Sequence, residues 1–127
     1  MEMTKIYAHR GASGYAPENT LEAFYIAMQQ GADGIELDVQ LTKDGEVVVI
    51  HDETINRVSN GKGKVMDYTL AELKQFSFHN HMDMYKNVRI PTLQEVLDLV
   101  KPGKMEVNIE LKTGIFFKIG IPENACF

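Results

Sequence analysis

Four short stretches carry the side chains that do chemistry. Glu36 and Asp38 stand two apart in Ile35-Glu36-Leu37-Asp38-Val39, a run that alternates apolar with acidic residues. A strand has a side-chain period of two, so both carboxylates share one face. Glu110 and Lys112 repeat that spacing in Glu106-Val107-Asn108-Ile109-Glu110-Leu111-Lys112. If the two strands neighbour one another, Glu36, Asp38 and Glu110 converge. Converging carboxylates repel unless a cation stands between them, and an all-oxygen donor set suits Ca²⁺ or Mg²⁺ before zinc. His9-Arg10 precedes Gly11 and a loop with a second glycine. Arg offers a planar fork of donors and His a proton near neutral pH, a pairing suited to an anion such as phosphate. His51-Asp52 ends the apolar run Val47-Val48-Val49-Ile50. Each stretch alone also has an ordinary reading, as a half-exposed edge strand or a solvated surface pair. The two readings separate on whether the fold brings the stretches together.

The elements that must do so are legible in part. Residues 5–8 are a strand candidate running into the His9-Arg10 loop. Asn19 with Glu22 three residues on has the form of a capping box, and Leu21, Phe24, Ala27 and Met28 recur at helical spacing, so a helix is expected over about 20–30, ended by Gly31. Strand, loop, helix, strand is a βαβ unit and favours a parallel sheet. Thr42-Lys43-Asp44-Gly45 is a polar turn between the Glu36/Asp38 strand and the Val47–Ile50 strand. A hairpin there would make the two antiparallel. The C-terminal placement of Asp38 and His51 favours a parallel pair with a compact crossover, and that is the expectation. Residues 53–89 change character and are expected as an insertion over one end of the sheet, a candidate lid. Thr69 with Glu72 opens a short helix in it, while His79 and His81 lack a supporting carboxylate or cysteine for a metal site. Thr92 with Glu95 opens another helix, with Leu93, Val96, Leu97 and Val100 as its apolar stripe.

The chain has 127 residues, 44% hydrophobic and 24% charged, enough for one globular domain with a core. A net charge of -5 provides no basic field for nucleic acid. One cysteine, Cys126, makes no disulfide framework. The opening Met1-Glu2-Met3-Thr4-Lys5 carries no apolar leader, and no stretch is apolar enough to span a membrane, so a cytoplasmic location is expected.

Taken in order, His9-Arg10-Gly11, Pro17-Glu18-Asn19-Thr20, Glu36-Leu37-Asp38-Val39, Leu41-Thr42-Lys43-Asp44-Gly45, His51-Asp52 and Asn108-Ile109-Glu110-Leu111-Lys112 resemble the glycerophosphodiester phosphodiesterase family. The resemblance implies an α/β fold of TIM-barrel type. It implies metal-dependent hydrolysis of glycerophosphodiesters to glycerol 3-phosphate and an alcohol, within lipid and glycerol metabolism. It further implies His9 and His51 as the general acid/base pair, and Arg10 and Lys112 as contacts to the phosphate. Glu36, Asp38 and Glu110 would be the ligands of a divalent cation, Ca²⁺ or Mg²⁺. In that family the glycerol 2-hydroxyl attacks first, giving a cyclic phosphate that water opens.

A (β/α)₈ barrel takes about 250 residues. Residues 1–113 are therefore expected to be the N-terminal half of such a barrel, with about four of its strands, those at His9, Asp38, His51 and Lys112. Residues 114–127 lack the pattern of the family's next helix and are expected as an aberrant tail, from a frame shifted or interrupted after Thr113. An open half-barrel exposes unpaired strand edges, so a homo-oligomer through those edges is expected. The alternative to a working phosphodiesterase is a truncated, inactive fragment that retains metal or phosphate binding.

Overall fold

Alternation in two strands decides the layering. In β2 (Gly34–Leu41) and β4 (Glu106–Glu110), Ile35, Leu37, Val107 and Ile109 point to one face and Glu36, Asp38, Asn108 and Glu110 to the other. The computed structural model describes residues 5–111 and, as backbone, the strand at 116–120. β1 (Tyr7–His9), β2 and β4 lie parallel in one sheet, and β5 (Phe116–Gly120) joins it antiparallel to β4, in the order β1-β2-β4-β5. The apolar face is covered by α1 (Leu21–Gln29) and α3 (Leu93–Val100). Phe24 and Ala27 of α1 and Val96, Leu97 and Val100 of α3 form one buried cluster with Ile35, Leu37, Val107 and Ile109. Burying a side chain of this size contributes about 1.5–3 kcal/mol relative to leaving it exposed. The opposite, polar face is the one that lines the interior of a barrel.

Both later capping boxes form. Thr69 and Glu72 cap α2 (Leu70–Leu73), and Thr92 and Glu95 cap α3. The first helix starts differently from expectation. Its cap is Thr20, whose Oγ1 accepts from the Ala23 amide at 3.2 Å. Asn19 sits at a φ of +56°, outside the extended conformation a cap requires, and its side chain is used elsewhere.

The pairing of β2 with β3 (Val47–Val49) corrects the sequence expectation: it is an antiparallel hairpin, with Val39 opposite Val49 and Leu41 opposite Val47. The turn is too short for the crossover of a dozen or more residues that parallel strands need. Thr42 and Glu46 close it, the Thr42 amide donating to the Glu46 carbonyl at 2.9 Å and the Glu46 amide to Thr42 Oγ1 at 3.0 Å, with Gly45 at a φ of +81°. Of the four strands expected in the half-barrel, those at His9 and Asp38 and the one expected at Lys112, described as β4 (Glu106–Glu110), are therefore parallel, and the one ending before His51 is not.

Residues 53–89 hold a second, smaller core. Ile55, Val58, Val65, Leu73 and Phe78 pack with Val48, Ile50 and Ile90, so this segment is fastened to the outer side of β3. The expected boundary at residue 113 lies outside the described residues, as does most of the 114–127 tail. Within that tail, residues 116–120 form β5. Among the described residues no helix is long and apolar enough to cross a membrane.

Candidate active site

Three parallel strands end side by side and their register fixes what meets. His9, Glu36 and Asn108 form one row across the sheet, and Asp38 stands opposite Glu110 one pleat nearer the C-terminal ends. β2 does not stop there. It overshoots by three residues and turns back through β3, so the Ile50 amide donates to the Asp38 carbonyl at 2.9 Å. That return delivers His51 to the level of Asp38. A cavity of about 160 Å³ is lined by Asp38, Gln40, His51, Glu53 and Glu110. The antiparallel hairpin thus brings His51 to the carboxylates that a parallel crossover was expected to reach.

The loop after β1 also reaches Asp38. Arg10 adopts a φ of +59° and Gly11 one of +78°. A Cβ on Gly11 would stand 2.8 Å from the Ala23 backbone, so only glycine lets this loop lie against α1. Arg10 Nε lies 3.4 Å from Asp38 Oδ2, and Arg10 Nη1 donates to Glu18 Oε2 at 3.2 Å. Asn19 Nδ2 donates to Asp38 Oδ2 at 3.1 Å, with both residues buried.

Two electrostatic features define the chemistry. The first is the carboxyl pair. A hydrogen bond with Asp38, then burial and the Asp38 charge, push the Glu110 carboxyl above its ordinary value, against the opposing charges of His51 and Arg10. Like charges this close favour a shared proton or a cation. The second is His51. Its Nδ1 lies 2.9 Å from Asp52 Oδ1. Hydrogen bonds from Arg57, opposed by burial and followed by the bond from His51, hold the Asp52 carboxyl below its ordinary value. An ionised carboxylate only accepts, so the proton of a neutral His51 sits on Nδ1 and the Nε2 lone pair is left available.

The donor set fits a hard divalent cation in kind: Glu36, Asp38 and Glu110 offer carboxylate oxygens on one face of two adjacent strands. Arg10 Nε, Asn19 Oδ1 and Asn108 Oδ1 are buried without a hydrogen-bond partner among the described residues. Two of these belong to residues beside Asp38, and Asn108 is the register partner of Glu36. Buried polar groups are nearly always satisfied by protein, water or a ligand, so these atoms are free to take a ligand's contacts. Asp38 and Glu110 are in contact. Among the described residues no group of three or more His, Cys, Asp or Glu side chains is already arranged around one point, and Glu36 stands one pleat back.

Of the residues singled out in sequence, His9, Arg10, Glu36, Asp38, His51 and Glu110 lie on these strand ends and loops, whereas Lys112 lies outside the described residues. His79 instead bonds to Ser77 Oγ through Nδ1 at 3.0 Å. Sequence reasoning gave no place in the site to Glu18, Asp52 or Arg57, and read Asn19 as a helix cap only. Glu18 and Asn19 stood in the Pro17-Glu18-Asn19-Thr20 stretch, which was the available signal. Arg57, a lone charge in an irregular segment, gave none.

The model of the glycerophosphoryl diester phosphodiesterase family matches residues 9–125. The chain is 53% identical over 121 residues to a glycerophosphodiester phosphodiesterase of Caldanaerobacter subterraneus, covering 94% of this chain and 50% of that protein. Its fold is similar to the crystal structure of a glycerophosphodiester phosphodiesterase from Agrobacterium tumefaciens, with a TM-score of 0.82 and 44% identity, covering 86% of this chain and 47% of the other. It is equally similar, at a TM-score of 0.82 and 40% identity, to a phosphodiesterase of Oleispira antarctica in complex with the product sn-glycerol-3-phosphate, covering 87% and 45%. The chain spans about half the length of the curated relatives it matches, and the architecture is that of half a TIM-type barrel.

Proposed function

Because this chain belongs to the glycerophosphoryl diester phosphodiesterase family, we propose that its site serves the metal-dependent hydrolysis of glycerophosphodiesters to glycerol 3-phosphate and an alcohol. A phosphodiester carries negative charge, so holding it takes cationic donors. In this reading Arg10 and Lys112 hold the phosphoryl oxygens, and Glu36, Asp38 and Glu110 hold Ca²⁺ or Mg²⁺. When bound, that cation supplies positive charge to the phosphoryl oxygens as charge builds there. One of His9 and His51 takes the proton from the glycerol 2-hydroxyl as its oxygen bonds to phosphorus. The other gives a proton to the departing alkoxide as the old phosphorus–oxygen bond breaks. Water then opens the cyclic phosphate with the two roles exchanged.

The observation that carries this reading is His51 beside Asp38 and Glu110 in one cavity, with Asp52 on Nδ1 and no partner on Nε2 among the described residues. The test is release of glycerol 3-phosphate from glycerophosphocholine with Ca²⁺, Mg²⁺ or chelator. Turnover that needs metal and disappears in Glu36→Ala and His51→Ala supports the reading. A folded sample without turnover overturns it for this chain and favours the inactive fragment.

The same reading includes a homo-oligomer. β1 is an edge strand of the described sheet, and a cleft of about 610 Å³ is lined by Val39, Leu41, Val47, Val65, Met66 and Leu111. Two copies that cover these surfaces approximate a closed barrel. Light scattering that reports a monomer across the micromolar range overturns this part.

A further inference from the structure

Glu18 and Arg57, which the chemistry above does not use, form a network with Asp52. Arg57 Nη1 and Nη2 donate to Glu18 Oε1 and Oε2 at 2.7 and 3.0 Å. Its Nε and Nη2 donate to Asp52 Oδ2 and Oδ1 at 2.9 and 3.2 Å. One guanidinium therefore makes two bidentate pairs. Glu18 also accepts from Arg10, and Asp52 also meets His51. The chain of contacts runs Arg10, Glu18, Arg57, Asp52, His51, from the loop after β1 to the segment after β3.

We propose that Arg57 is a positioning residue for His51: by clamping Glu18 and Asp52 at once, it fixes the carboxylate that holds the His51 imidazole in its Nδ1–H form. The proposal rests on His51 acting as an acid/base group. Asp52 follows His51 directly, so without a second anchor its carboxylate turns on a side chain that is itself partly exposed. The anchor must come from outside that segment, and Glu18 is such a point. Its side chain is only 10% exposed, and it stands just before Asn19, which binds Asp38. Exposed single ion pairs fix little, but a bidentate fork shared by two carboxylates fixes direction as well as distance. Lysine, a single-point cation, cannot reproduce it. Nδ1–H with Nε2 open is the form His51 needs if it is to take a proton from, or return one to, a group in the cavity.

The test reads the ring directly and needs neither metal nor substrate. Long-range ¹H–¹⁵N spectra of the labelled chain at pH 8 report which ring nitrogen carries the proton, with His51→Gln identifying the His51 signals. The wild type is expected to show Nδ1–H. Arg57→Ala and Arg57→Lys are both expected to shift His51 toward a mixture with Nε2–H, with the circular dichroism unchanged. A wild-type ring signature in either folded variant overturns the proposal and leaves Arg57 a stabilising ion pair. If Arg57→Ala does not fold, Arg57→Lys, which keeps the charge, decides. Where the wild type turns over, Arg57→Lys is expected to lower kcat about tenfold to a hundredfold with KM within about twofold. A raised KM with unchanged kcat counts against it. Absent turnover in the wild type overturns the phosphodiesterase reading for this chain, while the ring signature still decides on Arg57.

Discussion

Replacing Asn19 separates two contributions that the structure superimposes at one position. Asn19 donates Nδ2 to Asp38 Oδ2 at 3.1 Å, and it does so from a left-handed backbone with a φ of +56°. Asn19 is 3% exposed and Asp38 6%, so water does not readily replace the lost donor. Leaving a buried acceptor short of a partner costs about 1–3 kcal/mol. Placing alanine in the left-handed region costs roughly 1–2 kcal/mol more, while glycine takes that conformation without strain. Asn19→Ala is therefore expected to lower stability by about 2–5 kcal/mol, and Asn19→Gly by about 1–2 kcal/mol less than alanine. That is a large part of the roughly 5–15 kcal/mol that holds a domain folded. The assay is urea denaturation followed by circular dichroism, with the midpoint compared at constant slope. Equal losses in the two variants refute the backbone argument. A loss below about 1 kcal/mol in Asn19→Ala refutes the claim that the Asp38 contact matters.

Addition of Ca²⁺ or Mg²⁺ is expected to raise the melting temperature, by an amount that grows with concentration and corresponds to about 2.7 kcal/mol at a hundred times the dissociation constant. Asp38→Ala and Glu110→Ala are expected to abolish the shift. An unchanged shift in those variants refutes the ligand assignment. Acid stability is expected to depend on Arg57. Burial alone would raise the Glu18 carboxyl, but hydrogen bonding and charge from Arg57, then the charge of Arg10, hold it below its ordinary value, and Arg57 holds Asp52 down as well. Both carboxylates thus stabilise the fold above their unfolded values near 4.5 and 3.8, and that contribution is lost as the pH falls through their lower folded values. Glu110, held above its ordinary value, works in the opposite sense, its contribution fading as the pH rises through its folded value. Comparison of melting temperatures between wild type and Arg57→Ala cancels the Glu110 term. A loss on acidification as steep in the variant as in the wild type refutes the assignment.

Period-two alternation in Glu36-Leu37-Asp38 and Asn108-Ile109-Glu110 determined which residues face the site, because the pleat leaves a strand no other choice. Helical spacing and the Thr92/Glu95 box likewise determined α3, since both signals act within a few residues. The start of α1 was misread because Asn19 and Thr20 both suit a cap, and in the fold Asn19 is drawn to Asp38, nineteen residues away, and to the Arg10 carbonyl, while Thr20 caps the helix. The direction of β3 was misread for a related reason. Asp38 towards the C-terminal end of its alternating run, and His51 at the end of an apolar one, suggested two strands ending at one rim. In the fold, β2 passes the rim by three residues and the hairpin doubles back, so an antiparallel strand returns His51 to it. The Arg57 clamp left no mark in the sequence at all. Asp52 and Arg57 share the segment after β3, but Glu18 lies 39 residues from Arg57 in the loop after β1, and what joins the two loops is distance in space, which side-chain type and spacing along the chain do not encode.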